Sequence, residues 1–391
     1  MNIRNKVTLF IFILVFSVPA FAQQEPATPW WLSLERGKRQ FRNSNFGEAL
    51  MSFEDARRQR RAMYEQMERD LILLLSINEV RRIGDSLERV ENFAIERNYN
   101  AAASAFRELY YRIPKASLNN SANAALAAFN GLKNFPEAEY WIGEIYRVEG
   151  ELPLALSQFR KAYGMRGFLE DPGFAVNLQY KMADILRITR EYTEMERILH
   201  QILNENDSLW GNANTVRNGN SENILAAYEQ ASASFARSAM TRILTERGVN
   251  NFLDLYRYDN LAVEQAHRLL GNYYIAHGRP SAEQHLMFAF LIQNTVIIEE
   301  IKQRQYNFTF TNLEALAQEI NKNRLLLTFI EEVEYFRTVY YFAASLFRNG
   351  KASVARNLWS FLASQPQAGE WHDRAISQLR NPRPYPVVEM P

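Results

Sequence analysis

Along most of the chain an apolar residue returns every third or fourth position. Met182, Ile185, Leu186, Met195, Ile198, Leu199, Ile202 and Leu203 form one such series. It describes the buried faces of two helices split by a short turn. No segment alternates apolar and polar positions over the length of a strand, so the pattern predicts an all-α fold. Two stretches break it. Asn204, Asn206, Asn212, Asn214, Asn218, Asn220 and Asn223, with Gly211 and Gly219 among them, predict a surface loop over 204–223. Pro382, Pro384 and Pro386 predict an extended, polyproline-like tail over 381–391. The helical remainder divides into an N-terminal array, 23–203, and a C-terminal array, 224–380.

The first 22 residues have the order of an export signal. Arg4 and Lys6 precede the apolar run Val7–Phe16, Pro19 breaks it, and Ala20-Phe21-Ala22 supplies a small–x–small cleavage site. The other reading is an uncleaved anchor, but Val7–Ala22 is shorter than the roughly 20 residues a bilayer span needs. The expectation is a signal peptide over 1–22, cleaved after Ala22, and a mature chain exported to a bacterial periplasm, or secreted or held at the envelope. The chain has no cysteine, which excludes a lipoprotein anchor, disulfides, thiolate nucleophiles and zinc–cysteine sites.

Among the helical stretches, a single one carries a clear repeat signature: Ile142-Gly143, then Tyr146, Ala155, Phe159 and Ala162. It resembles the tetratricopeptide repeat, whose paired helices cross closely through small residues flanked by aromatics. The resemblance implies that Gly143 on the first helix meets Ala155 on the second, with Tyr146 and Phe159 filling either side. Further stretches fit less fully. They are Gly37, Ala49, Phe53 and Ala56; Ala102, Phe106 and Pro114; Ala183, Leu186, Met195, Leu199 and Ile202; Leu270-Gly271, Tyr274, Ala282, Leu286 and Ala289; and Ala343, Leu346, Ala355, Trp359 and Leu362. Together they imply an α/α solenoid of about six irregular tetratricopeptide-like hairpins, spaced more widely than the family's usual repeat.

Composition narrows the function. Lys+Arg is 45 and Asp+Glu is 44 in 391 residues, a net charge of +1, so no bulk attraction to nucleic acid is expected. There is no HExxH, Walker loop, GxGxxG or GxSxG, and the acidic pairs Glu170-Asp171, Glu299-Glu300 and Glu331-Glu332 read as solvated helix faces. The histidines His200, His267, His277, His285 and His372 read as solvated or capping residues. No catalytic residue, metal site or cofactor is expected. The run Arg57-Arg58-Gln59-Arg60-Arg61 reads as a helix C-terminus, where cations suit the dipole, or as a patch for an anionic contact. Tyr335, Phe336, Tyr340, Tyr341, Phe342 and Phe347 exceed what one buried face needs and suggest an interface.

A solenoid lines a concave surface with the first helix of each unit. The resemblance places Tyr140, Glu144 and Arg147 on that surface, and then Tyr180, Asp184 and Arg187, an aromatic–acid–Arg pattern repeated at one spacing. Arg268, Asn272, Arg337, Tyr340 and Arg348 follow in the C-terminal array. These side chains read either as intrahelical salt bridges or as a polar groove for a peptide or helix. The expected function is a non-enzymatic exported scaffold that binds a protein or peptide of the cell envelope, with no transmembrane span after cleavage. The alternative is a peptidoglycan- or glycan-binding protein, and a hydrolytic or lytic enzyme comes behind both.

Overall fold

The computed structural model describes residues 29–75, 98–112, 130–210 and 222–383, with isolated positions between 89 and 96. Residues 1–22, Pro114, positions 211–221 of the Asn-rich stretch and positions 384–391 of the tail therefore lie outside the described residues. Every regular element among those described is a helix. No helix there is long and apolar enough to cross a membrane.

The chain divides into two compact units between Ala175 and Val176. The Asn-rich stretch is thus not the boundary: the helices before it belong with the helices after it. Unit 1 holds α1 (Trp30–Arg42), α2 (Phe46–Leu75), α3 (Tyr99–Arg112), α4 (Pro136–Val148) and α5 (Leu152–Gly164). Helix α6 (Phe174–Ile188) contributes Phe174 and Ala175 to unit 1 and its remainder to unit 2. It is followed by α7 (Tyr192–Asn206), α8 (Glu222–Leu255), α9 (Leu261–Ala276), α10 (Ala282–Arg304), α11 (Leu313–Asn321), α12 (Arg324–Glu332), α13 (Tyr335–Arg348), α14 (Ala352–Ala363) and α15 (Glu370–Arg380).

Five helix pairs close through one turn. Ser44, Gly150, Arg190, Gly278 and Gly350 each take positive φ just past the first helix of a pair. The residue after each donates its amide five residues back: Asn45 to Gln40, Glu151 to Tyr146, Glu191 to Leu186, Arg279 to Tyr274 and Lys351 to Leu346, all at 2.8–2.9 Å. The positive-φ residue itself donates to the carbonyl three back, as Gly150 does to Arg147 at 3.2 Å. This is the Schellman arrangement, which satisfies the carbonyls that end a helix.

In three of these pairs the helices touch through a glycine. A Cβ built on Gly143 would stand 2.7 Å from Cε1 of Phe159, one on Gly37 2.5 Å from Cε1 of Phe53, and one on Gly271 2.6 Å from Cγ of Leu286. The sequence pattern set Gly143 against Ala155. In the fold it is the Phe159 ring that lies over Gly143, because an aromatic needs the absent side chain more than another small residue does.

In unit 1, α4 packs on α2 through Ala49, Phe53, Ala56, Ala138, Ile142 and Ile145. The farther half of α2 gathers Tyr64 with Val90, Ala102, Ala103, Phe106 and Leu132. Helix α2 runs to Leu75, so the run Arg57–Arg61 lies in its middle and not at a C-terminus. In unit 2, α10 is buried on nearly every side from Ala282 to Ile298, as expected of a helix apolar all round. Helix α13 is also interior, with Tyr335, Tyr340, Tyr341 and Phe342 at most 4% exposed. Its aromatics are excess to one face because α9, α10, α12, α14 and α15 all pack against it, not because they form an outer interface.

Candidate functional site

On α4, Tyr140 is buried against Trp141, Phe159 and Phe174. Burial, aided by the charge of Glu144, pushes its hydroxyl up to about 12. Glu144 is buried too, and Arg147 closes on it at 2.9 Å while keeping a third of its side chain exposed. Of this trio only Arg147 offers a charged end to solvent. On α6, Arg187 pairs with Asp184 at 2.6 Å. Both repeats of the acid–Arg pattern are therefore intrahelical ion pairs. Tyr180 turns inward within unit 2. Its hydroxyl donates to the Ala262 carbonyl at 2.7 Å and accepts from the Ala266 amide at 3.2 Å, fixing the first turn of α9.

The remaining positions form links between helices. Arg268 is buried, donating to Glu264 at 3.1 Å and to Glu334 at 2.5 Å. Arg337 reaches the same Glu334 at 3.2 Å, and Gln293 donates to Glu264 at 2.6 Å. Burial pushes the Glu264 carboxyl up, against the pull of Arg268. Arg348 donates to the carbonyl of Gly278, tying α13 to the turn of the preceding pair. Tyr340 is buried beneath Trp371, its hydroxyl accepting from Gln378 at 3.2 Å. Asn272 is 1% exposed, and neither of its amide atoms finds a partner. Tyr140, Glu144, Arg268, Asn272 and Tyr340 are thus interior residues. A helix face that reads as polar becomes an internal seam when the next helix packs over it.

Sequence reasoning missed the polar centre of unit 2. His267 and His285 are fully buried rather than solvated or capping. His267 Nε2 lies 2.9 Å from Asp207 Oδ2, and its Nδ1 lies 3.1 Å from His285 Nδ1. With Asp207 ionised, His267 donates from Nε2 and accepts at Nδ1 from the Nδ1–H of His285, an assignment made from the network. Burial works against ionisation of Asp207, yet hydrogen bonds from His267, Tyr258 and the Leu209 amide outweigh it and hold the carboxyl below the usual range. Trp210 packs on both imidazoles. The acid–imidazole pair has the chemistry of a base, but both side chains are 0% exposed, so no substrate reaches it. Its visible work is to fasten residues 207–210 to α9 and α10. A histidine at the core-facing position four before Gly271 was the available signal. The other three follow different rules: His277 donates to the Tyr273 carbonyl at a helix end, His372 meets Asp373, and half-buried His200 lies 2.7 Å from the Tyr274 hydroxyl. No group of three or more metal-ligating side chains occurs among the described residues.

Unit 1 carries an open concavity. Trp30, Trp31, Gln59, Tyr64, Asn100 and Arg107 line an open groove of about 600 Å³, and Trp31 is 54% exposed within it.

No family model matches the chain. It is 23% identical over 354 residues to an uncharacterized protein of Treponema pallidum (strain Nichols), covering 90% of this chain and 89% of the relative. It is 22% identical over 272 residues to an uncharacterized protein of Borreliella burgdorferi (strain ATCC 35210 / DSM 4680 / CIP 102532 / B31), covering 68% of this chain and 84% of the relative.

Proposed function

We propose that the chain is an exported, non-enzymatic, tetratricopeptide-like scaffold that binds a protein or peptide of the cell envelope. One observation carries the reading: five helix pairs close by the same turn, and three of them cross over a glycine in the same place. A recurring pair geometry is what a solenoid needs to stack units and expose a continuous recognition surface. The signal-like segment ahead of the helices supports export to the periplasm. Affinity would rest on charged ends that are partly open to solvent, Arg147 in unit 1 and, separately, Asp184 and Arg187 in unit 2, rather than on the interior tyrosines.

The test is co-purification of residues 23–391 with partners from the source cell's envelope, followed by reconstitution with the purified partner. Arg147→Glu and Arg187→Glu are each expected to weaken reconstituted binding at least about tenfold, about 1.4 kcal/mol, with helicity unchanged by circular dichroism. An unaltered affinity in a variant would remove that residue's helix face from partner binding.

The glycan-binding reading has its own support in the groove of unit 1, where exposed Trp31 and half-buried Trp30 stand beside the amides of Gln59 and Asn100. Aromatic faces with adjacent amides suit sugar rings. Sedimentation with purified cell wall, lost in Trp31→Ala, would favour it over the protein-binding reading.

A further inference from the structure

The arginine run on α2 is paired at every position but one. Arg57 meets Glu139 at 3.1 Å, Arg58 meets Asp55 at 2.5 Å and Arg61 meets Glu65 at 2.8 Å. Arg60 points inward and is 1% exposed. Its Nε donates to the Leu132 carbonyl at 3.2 Å. Its guanidinium lies 4.4 Å from the ring centre of Phe135, 4.8 Å from Trp30 and 5.8 Å from Tyr64. No carboxylate of the described residues pairs with it, and its buried Nη1 has no partner. Aromatic faces return only part of what a cation loses on burial. The buried Glu137 carboxylate is near enough for the Arg60 charge to pull it down against the effect of burial, yet neither of its oxygens reaches Nη1, which keeps a free donor.

Arg60 also lines a cavity of about 360 Å³, whose other polar walls are Glu96, Asn98, Asn100 and Glu170. The two acids are exposed. The Asn100 amide donates to Glu170 at 3.1 Å, and the Asn98 side chain accepts from the Ala101 amide at 3.2 Å. Glu137 stands close by, its carboxylate accepting from the Glu170 amide at 2.9 Å through one oxygen and left without a partner at the other. A buried guanidinium with a free donor and two exposed carboxylates therefore line a space the size of a small metabolite.

We propose that this cavity binds a small α-amino acid as its zwitterion, the carboxylate on Arg60 Nη1 and the ammonium between Glu96 and Glu170. The charge pattern selects this class. Phosphate would set a second negative charge against the two glutamates, and a neutral sugar would leave the guanidinium unmatched. Arginine's rigid donor fork suits a carboxylate. The site is independent of the protein-binding faces on α4 and α6.

Isothermal titration of the full mature chain with each of the common L- and D-amino acids tests it, with acetate, methylammonium, inorganic phosphate and N-acetylglucosamine as contrasting probes. At least one amino acid is expected to saturate at one per chain with Kd below about 1 mM, and the four contrasting probes to bind at least about tenfold more weakly. Arg60→Met should abolish binding. It should also melt no lower than the unliganded wild type, since it replaces an unmatched buried charge with an apolar side chain of similar length. Glu96→Gln and Glu170→Gln, both at exposed positions, should weaken the amino acid about tenfold and leave acetate unchanged or tighter. Absence of saturation by every amino acid, tighter binding of phosphate or N-acetylglucosamine, or unchanged amino-acid affinity in the two glutamine variants would overturn the proposal. Should Arg60→Met fail to fold, the glutamine variants decide the matter alone.

Discussion

Gly143 has no room for a methyl group, and Gly164 has all it needs. A Cβ at Gly143 would press within 3 Å of two atoms of the Phe159 ring, while one at Gly164 would meet nothing within 4 Å. Overpacking of a buried seam costs about 1–3 kcal/mol, against the roughly 1 kcal/mol that alanine gains over glycine in a helix. Gly143→Ala is therefore expected to destabilise by about 1–2 kcal/mol, and Gly164→Ala to stabilise by up to about 1 kcal/mol. Urea midpoints of the two variants check both signs, and a stabilised Gly143→Ala would show that the two helices can separate at little cost. At this scale the sequence spoke through spacing alone. It marked Gly143 and Phe159 as packing positions without saying which atom covers which. It could not mark Asp207, which meets His267 from 60 residues away and lies beyond the end of α7, where no helical period reaches. It also presented Tyr140, Asn272 and Tyr340 as polar-faced positions, because a hydroxyl or amide carries the same letter whether the next helix leaves it wet or covers it.

The helix pair is the element that recurs along the described residues, and its turn is legible in the sequence. Gly37, Gly143, Ala183, Gly271 and Ala343 each precede a positive-φ residue by seven positions: Ser44, Gly150, Arg190, Gly278 and Gly350. Three of those five are glycine, which takes the left-handed region freely; a residue with a Cβ loses roughly 1–2 kcal/mol there. Arg190 bears that strain at φ 64°, in an exposed position. Arg190→Gly should therefore stabilise unit 2 by up to about 1 kcal/mol, whereas Gly350→Ala should destabilise it by about 1 kcal/mol with no steric clash to blame. Thermal melts of the two variants read the opposite signs, and a shared sign would mean that the turn is not held as the hydrogen bonds describe. The helices themselves followed from the 3.6-residue period. The division into units did not, because the Asn-rich stretch advertises a break by composition, while a compact unit is defined by which helices share a core. Helix α7 shares its core with α9 across that stretch, an association that long-range packing makes and local sequence does not announce.

The whole molecule distributes its titrating groups unevenly. All five histidines, His200 to His372, fall in unit 2, and unit 1 has none. Burial lowers the imidazoles of His200, His267 and His285 beneath their ordinary value of 6.5. Between that value and the lowered ones, the unfolded chain binds protons that the fold refuses. Their contribution is whole above pH 6.5 and is lost as pH falls through that window, by up to about 1.4 kcal/mol per pH unit for each fully buried imidazole. Glu264 works the other way: burial raises its carboxyl, so acidification from that raised value toward 4.5 restores some stability. It is one group against three, and the balance for unit 2 is a loss. In unit 1 the raised group is Glu137, lifted chiefly by burial, and with no histidine to oppose it unit 1 should hold or gain over the same range. Hydrogen exchange at about pH 7.5 and about pH 5.5, corrected for intrinsic rates, separates the two. Amides of α9 and α10 are expected to lose protection on acidification, while those of α1 and α4 keep theirs. His285→Gln retains a side-chain donor but cannot titrate, so it should make the loss in unit 2 shallower by up to one proton's worth. An equal loss of protection in both units, or an unchanged slope in His285→Gln, would mean that the acid sensitivity of the chain does not originate in the Asp207–His267–His285 core.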